Sequence, residues 1–273
     1  MGKDNAYNYM LHFKEHIGEI CYFYAMRIAL LADIHGNAIA LESVLADVTR
    51  KGGVDGYWIL GDLVALGPDP NGVLQQLMYL PGLRLIRGNT DRYVVSGDRP
   101  SPTLEEAREN SSLLPPLVEV ANTFAWTQGM ITAGGWLQWL KDLPLELRIT
   151  LPDGSRFLGV HASPGLDDGL GVSPETTEND MQELFSTCDA DLVCMGHTHL
   201  PLERRWNGIH LVNPGAVSLS LTPDRYASYA VLEATKDDYS ISHHQVTYDR
   251  QHVIDQLNQL GHPGRAFLIR HLS

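Results

Sequence analysis

The chain has 273 residues, a formal net charge of −13, 44% hydrophobic residues and 19% charged ones. That length suits one large α/β domain, and the acidic balance excludes stable binding of nucleic-acid backbones through a basic face. No apolar run reaches the ~18–20 residues of a membrane span. The three cysteines, Cys21, Cys188 and Cys194, form no CxxC pair, which excludes a disulfide framework and points to a reducing cytoplasm.

Residues 1–25 have neither the continuous apolar stretch nor the cleavage site of a secretory signal, so they are expected to be an N-terminal extension. Met26 then opens a domain running from 26 to 273. Short apolar runs follow, and each ends in polar residues. "RIALLA" (27–32) precedes Asp33, "GYWIL" (56–60) precedes Gly61 and Asp62, and "LRLI" (83–86) precedes Arg87, Gly88 and Asn89. "RFLGV" (156–160) precedes His161, "DLVCM" (191–195) precedes Gly196 and His197, and "IHLV" (209–212) precedes Asn213. Their lengths, β-branched content and glycine flanks predict strands.

Helical periodicity separates several of these runs: 37–50, 71–79 and 178–186, the last capped by Thr176 or Thr177. Residues 97–146 lack a strand signal and predict a helical insertion or cap of two or three helices, broken at Pro115–Pro116 and Gly134–Gly135. Trp126, Trp136 and Trp139 in this stretch read as packing residues. "YASYAVLEA" and "YSISHHQVTY" alternate like a closing hairpin around Lys236–Asp238, and 249–260 predicts a helix. Alternating strands and helices define an α/β fold.

In an open α/β sheet, ligands bind beyond the carboxyl ends of the strands. Asp33, His35, Asp62, Asn89, His161, His197 and His199 all stand there. Imidazole and carboxylate donors suit zinc, iron and manganese. Seven donors exceed the needs of one ion and suit two ions about 3.5–4 Å apart, bridged by Asp62. Each block is weak alone. The order DIHGN, GD, GN, HA, GHTH, each at a strand end, is specific.

On these blocks, from Met26 to about Val217, the chain resembles the calcineurin-like metallophosphoesterase superfamily, nearest to its small bacterial and archaeal phosphodiesterase branch. The resemblance implies a four-layer α/β/β/α sandwich. It also implies two divalent ions (Mn, Fe, Zn or Ni), one held by Asp33, His35, Asp62 and His199, the other by Asp62, Asn89, His161 and His197. The nucleophile would be a metal-bridging water, its pKa lowered by both ions. Asp62 and Asn89, with Asp91, are the residues expected to carry catalysis.

Two departures bear on the substrate. Family phosphatases often read GNHD or GNHE where this chain reads "GNTD", so Thr90 replaces a histidine that protonates the leaving oxygen or steadies the phosphate. That loss removes general-acid help worth ~10²–10⁴-fold. Protein Ser/Thr phosphatases of the superfamily read GDxxDRG. In "GDLVALGP", Ala65 and Leu66 take the Asp-Arg places. Both changes favour phosphodiester cleavage, or an ester with a good leaving group, in a small-molecule or nucleotide substrate.

Arg92, Asn37 and Thr90 are the candidates for substrate contact, Asn37 being read first as a helix cap. "HASPG" (161–165) and "NPGAVS" (213–218) are expected to shape the site. A phosphomonoesterase, of protein phosphatase or dinucleoside polyphosphate hydrolase type, remains the alternative, followed by an inactive metal-bound scaffold. A homo-oligomer is compatible with the sequence.

Overall fold

A computed structural model describes residues 25–273. The expected extension, apart from Ala25, lies outside them, as does Cys21. Strand β1 (Ala25–Leu31) is followed by α1 (Ala38–Arg50), β2 (Gly56–Leu60), α2 (Pro70–Leu77), β3 (Arg84–Ile86) and α3 (Asn89–Ser96). Next come α4 (Leu104–Glu109), a 3-10 turn (Ser111–Leu113), α5 (Leu114–Ala133), α6 (Leu137–Lys141), β4 (Leu147–Thr150), β5 (Arg156–Gly159) and α7 (Glu178–Phe185). The chain continues through β6 (Leu192–Cys194), β7 (Leu202–Trp206), β8 (Ile209–Asn213), β9 (Ala227–Thr235) and β10 (Tyr239–Val246), and closes with α8 (Arg250–Gln259) and α9 (Arg265–Leu272).

Among the described residues, the strands form two five-stranded sheets, ordered β10-β9-β1-β2-β3 and β4-β5-β6-β8-β7. In the first, β1, β2 and β3 are parallel, with Leu30 opposite Trp58 and Ile59 opposite Leu85. In the second, β5, β6 and β8 are parallel.

Period-two alternation sorts the strand residues into layers. Ile28, Leu30, Trp58 and Leu60 face Phe157, Leu192, Cys194 and Val212 in a core between the sheets. Trp58 meets Phe157 edge-on there, ring centroids 4.6 Å apart. Ala29, Leu31, Tyr57 and Ile59 pack instead against Leu41, Val44, Val73 and Leu74 of α1 and α2. On the far side, Leu158, Val193 and Leu211 cover Met181 and Phe185 of α7. The result is the α/β/β/α sandwich.

Residues 97–146 hold no strand and carry α4, the 3-10 turn, α5 and α6 joined by irregular segments, but the break expected at Pro115–Pro116 is absent. Both prolines fall in the first turn of α5, where a missing N–H costs no hydrogen bond and the fixed φ suits the helix. The chain does leave the helix at Gly134 and Gly135. Thr177 caps α7, accepting from the Asp180 amide.

Strands β4 and β7 were not expected. They are the two edges of the second sheet, and their outward residues, such as Arg148, Glu203 and Arg205, interrupt the apolar run that marks a central strand. Helices α3 and α9 were not expected either.

Candidate metal centre

Six parallel strands from the two sheets deliver their carboxyl ends to one edge of the sandwich. Asp33 follows β1, Asp62 follows β2, Asn89 follows β3, His161 follows β5, the His197–His199 turn follows β6, and Asn213 ends β8. The loops are tied across strands. Asp33 N donates to Gly61 O at 3.1 Å, His35 N to Asp62 O at 2.9 Å, and Ser218 N to Asp33 O at 2.9 Å. Asn213 Nδ2 donates to Gly196 O at 2.7 Å and holds the histidine turn against β8.

Asp33, His35, Asp62, His197 and His199 all have left-handed φ values, of 56°, 49°, 57°, 70° and 59°. Residues with a Cβ rarely adopt this conformation, which costs on the order of 1–3 kcal/mol each and concentrates at functional sites. Here it turns Asp33, His35, Asp62 and His199 back toward one cluster, with the His197 ring beside it.

Asp62 presents one oxygen to each side of the cluster. Its Oδ2 is 3.6 Å from His35 Nε2, and its Oδ1 is 3.4 Å from His161 Nε2. Asp33 offers a single oxygen to both sides, Oδ1 lying 3.6 Å from His199 Nε2 and 4.0 Å from His161 Nε2. The Asp33 carboxylate is anchored by the His197 amide, 3.1 Å from either oxygen. Two triads have donor atoms close enough to share an ion: Asp33, His35 and His199, and Asp33, Asp62 and His161. Proximity alone thus puts Asp33 in both, while Asp62 sends a separate oxygen to each side, an arrangement that also lets a carboxylate bridge.

Asn89 Oδ1 lies 3.1 Å from His161 Nε2. His197 stands outside the triads, its ring 5.2 Å from that of His161.

Three imidazoles have a fixed tautomer. His161 Nδ1 bonds Leu60 O at 2.7 Å, His199 Nδ1 bonds Leu219 O at 2.8 Å, and His197 Nε2 bonds Gly169 O at 2.8 Å. A carbonyl only accepts, so these nitrogens carry the protons and the opposite nitrogen of each neutral ring keeps its lone pair. His35 is the exception: its Nδ1 is buried without a hydrogen-bond partner.

The electrostatics match a cation site. Burial opposes charge on Asp62, but His161, His35 and His197 overcome it and hold the carboxyl well below its usual range. Burial likewise opposes charge on His161, yet Asp62 and Asp33 raise the ring to about 10. Burial drives His35 down to about 4 against the pull of Asp62. The carboxylates that keep a proton on His161 favour a cation in its place. This buried donor set of imidazole nitrogens and carboxylate oxygens fits divalent metal ions.

The candidate substrate residues have other partners. Asn37 caps α1, accepting from Ala40 N at 3.0 Å, and its Nδ2 donates to Ser218 Oγ at 3.0 Å. Thr90 N donates to Asp62 Oδ1 at 3.0 Å, while the Thr90 hydroxyl is buried without a partner. Asp91 accepts from the amides of Leu63 and Val64 at 2.9 and 3.3 Å and from Gly88 N at 2.9 Å. It therefore braces the Asp62 loop against the Asn89 turn. Burial, then the charge of Asp62, raises the Asp91 carboxyl to about 7. Arg92 bonds three carboxylates: Asp167 at 3.0 Å, Asp168 at 2.9 Å and Asp98 at 3.1 Å. Sequence reading missed Tyr93, Asp167 and Asp168 near the site, because nothing in the local pattern separates them from ordinary surface residues.

A double-sheet sandwich with aspartates, histidines and an asparagine at its strand ends defines a metallophosphoesterase-type fold. Residues 26–237 match the calcineurin-like phosphoesterase superfamily domain, and the chain belongs to that superfamily. It is similar to an uncharacterized protein of Methanocaldococcus jannaschii, 26% identical over 249 residues, covering 84% of this chain and 91% of that one. A symmetrical bis(5'-nucleosyl)-tetraphosphatase of Pectobacterium carotovorum is 36% identical over 72 residues, 26% of either chain.

Among solved structures, a metallophosphoesterase from Sphaerobacter thermophilus aligns with a TM-score of 0.70 at 28% identity, covering 91% of this chain and 98% of that one. A hypothetical protein from Pyrococcus horikoshii shares the fold, with a TM-score of 0.72 at 20% identity, covering 87% of this chain and 94% of that one. Among the described residues, no helix is long and apolar enough to cross a membrane.

Proposed function

We propose that this chain is a cytoplasmic phosphodiesterase acting on small molecules or nucleotides with two divalent ions, manganese among the candidates. One ion would be held by Asp33, His35, Asp62 and His199, the other by Asp62, Asn89, His161 and His197. The observation that carries this reading is Asp62, buried between two histidine groups with one oxygen toward each. When bound, two such ions acidify water toward neutral pH and offset the charge that grows on phosphoryl oxygens.

The chain's own residues do the positioning. The carbonyls of Leu60, Leu219 and Gly169 fix which nitrogens of His161, His199 and His197 carry a lone pair, and Asp91 locks the two loops that carry Asp62 and Asn89. No histidine stands at position 90 to give the leaving oxygen a proton, and Arg87 and Arg92 are both committed to carboxylates. A dianionic monoester with a poor leaving group is therefore poorly served, whereas a monoanionic diester with a good leaving group needs neither aid.

The test is kcat/KM for the manganese-loaded protein on bis-p-nitrophenyl phosphate and on p-nitrophenyl phosphate. The diester is expected to lead by at least tenfold, and a lead for the monoester overturns the assignment. The local similarity to symmetrical bis(5'-nucleosyl)-tetraphosphatases favours a second reading, hydrolysis of a dinucleoside polyphosphate. Diadenosine tetraphosphate in the same assay separates the two.

A further inference from the structure

Asn89 opens α3, and Tyr93 lies four residues later on the same helical face. The Asn89 side chain acts on the Tyr93 phenol to lower its pKa against burial, as a hydrogen-bond donor to the phenolic oxygen does. The Tyr93 hydroxyl bonds Asp168 Oδ2, and Asp168 also accepts from Arg92 Nη2 at 2.9 Å. A carboxylate only accepts, so the Tyr93 hydrogen points to Asp168 and the phenolic oxygen is left to accept from the Asn89 amide. This order makes the Asn89 NH2 the outward group and leaves its Oδ1 at 3.1 Å from His161 Nε2.

Without such a partner the two ends of an asparagine amide are nearly equivalent in shape. The wrong end would aim two N–H dipoles at a cation. The same loop reaches a second residue, since Gly169 O is 2.8 Å from His197 Nε2. Asp167 pins the loop from below, accepting from Arg87 Nε at 2.9 Å and Arg92 Nε at 3.0 Å.

We propose that the Asp167–Gly169 segment, acting through Tyr93 on Asn89 and through its own backbone on His197, is the outer shell that orients the ligands of one of the two cations and not of the other. Tyr93 and Asp168 are thus positioning residues, and Arg92 anchors the segment instead of gripping phosphate. The inference rests on the two-ion reading above, in which Asn89 and His197 serve the same ion.

The experiment is a calorimetric titration of chelator-stripped protein with MnCl2, comparing the wild type with Tyr93→Phe, Asp168→Asn and Asn89→Ala. Tyr93→Phe keeps the ring that packs edge-on to Phe124 at 5.8 Å, so the fold is retained. The wild type is expected to show two binding events. Tyr93→Phe should weaken one of them about 10–100-fold, the usual effect of losing an outer-shell partner, and leave the other within about twofold. Asn89→Ala should remove that same event, and Asp168→Asn, which keeps an acceptor for the hydroxyl, should fall between.

Tyr93→Phe with both events at wild-type affinity overturns the relay, as does equal weakening of both, which is the mark of a general structural role. A wild type that binds one ion or none, or an Asn89→Ala protein that retains both events, instead overturns the two-ion reading and removes the relay with it.

Discussion

His35 Nε2 and His199 Nε2 face each other at 3.0 Å across 164 residues of sequence. His199 has spent its Nδ1–H on Leu219 O, so its Nε2 offers a lone pair to a neighbour that is itself a buried base. A divalent ion that takes up both lone pairs converts this contact into a link between β1 and the loop after β6. Metal should therefore act as a fold ligand. At a free Mn²⁺ concentration of 100 times its Kd, a ligand adds about 2.7 kcal/mol, or roughly 5–10 °C in thermal midpoint for a chain of this size. Calorimetric scans of stripped and manganese-loaded protein check this, and an unchanged midpoint would count against any ion between the rings.

Asp62→Asn preserves the shape and the acceptor for Thr90 N but deletes the charge that serves both sides. Turnover is expected to fall on the order of 10³-fold or more, since each 1.36 kcal/mol is tenfold and a metal site supplies several. A second readout needs no substrate. Asp62 is the main influence holding His161 up at about 10 against burial, so in the stripped variant the His161 ring should titrate at distinctly lower pH by NMR. An unmoved His161 titration would show that the carboxylate does not control that ring.

The central strands were legible because parallel strands buried on both faces read as unbroken apolar runs, and "GYWIL" coincides with β2. Edge strands β4 and β7 carry arginine and glutamate outward, so the same signal is lost. The GN pair was legible as a strand end but not as the start of α3, because Gly88 caps it without a side chain. The ordered blocks from Asp33 to His199 were legible because each follows its strand directly. The Tyr93–Asp168 bond, spanning 75 residues, was not, since pairing of that kind depends on how two loops meet. Its place beside Asp91 offers Arg92 as a substrate contact; its three carboxylate partners come from distant or unpatterned segments.

Gly88 has no room for a methyl group. A Cβ there would lie 2.0 Å from Asp62 Oδ1 and 2.4 Å from Asp62 N, so Gly88→Ala must displace the proposed bridging carboxylate or its backbone. Overpacking of this kind costs typically 1–3 kcal/mol, and manganese binding should weaken together with turnover. Gly97 provides the control. It caps the end of α3 with a φ of 88° and has no atom within 4 Å of its added Cβ. Gly97→Ala should lose about 1 kcal/mol of stability to backbone strain while manganese affinity stays at the wild-type level. Equal metal affinity in the two variants would mean that close packing at Gly88 does not set the position of Asp62.

His262 offers a pH test away from the metal centre. Its side chain is fully buried, with Nδ1 accepting from Gly264 N at 3.2 Å and Nε2 without a partner. The Trp126 ring stands edge-on at 4.4 Å. Burial, and then the Arg265 charge, lowers the imidazole from 6.5 to about 4. The folded protein therefore binds fewer protons than the unfolded chain between those values. The stabilisation from keeping His262 neutral is complete above pH 6.5 and is lost as pH falls toward 4. At 1.36 kcal/mol per pH unit, wild type should lose about 2–3 kcal/mol more than His262→Asn on going from pH 7 to pH 4.5. Asparagine keeps an acceptor for Gly264 N and does not titrate. Urea unfolding of both proteins in chelator measures the difference, because the remaining histidines are common to the two. Parallel stability curves across this window would mean that His262 is not held neutral by the fold.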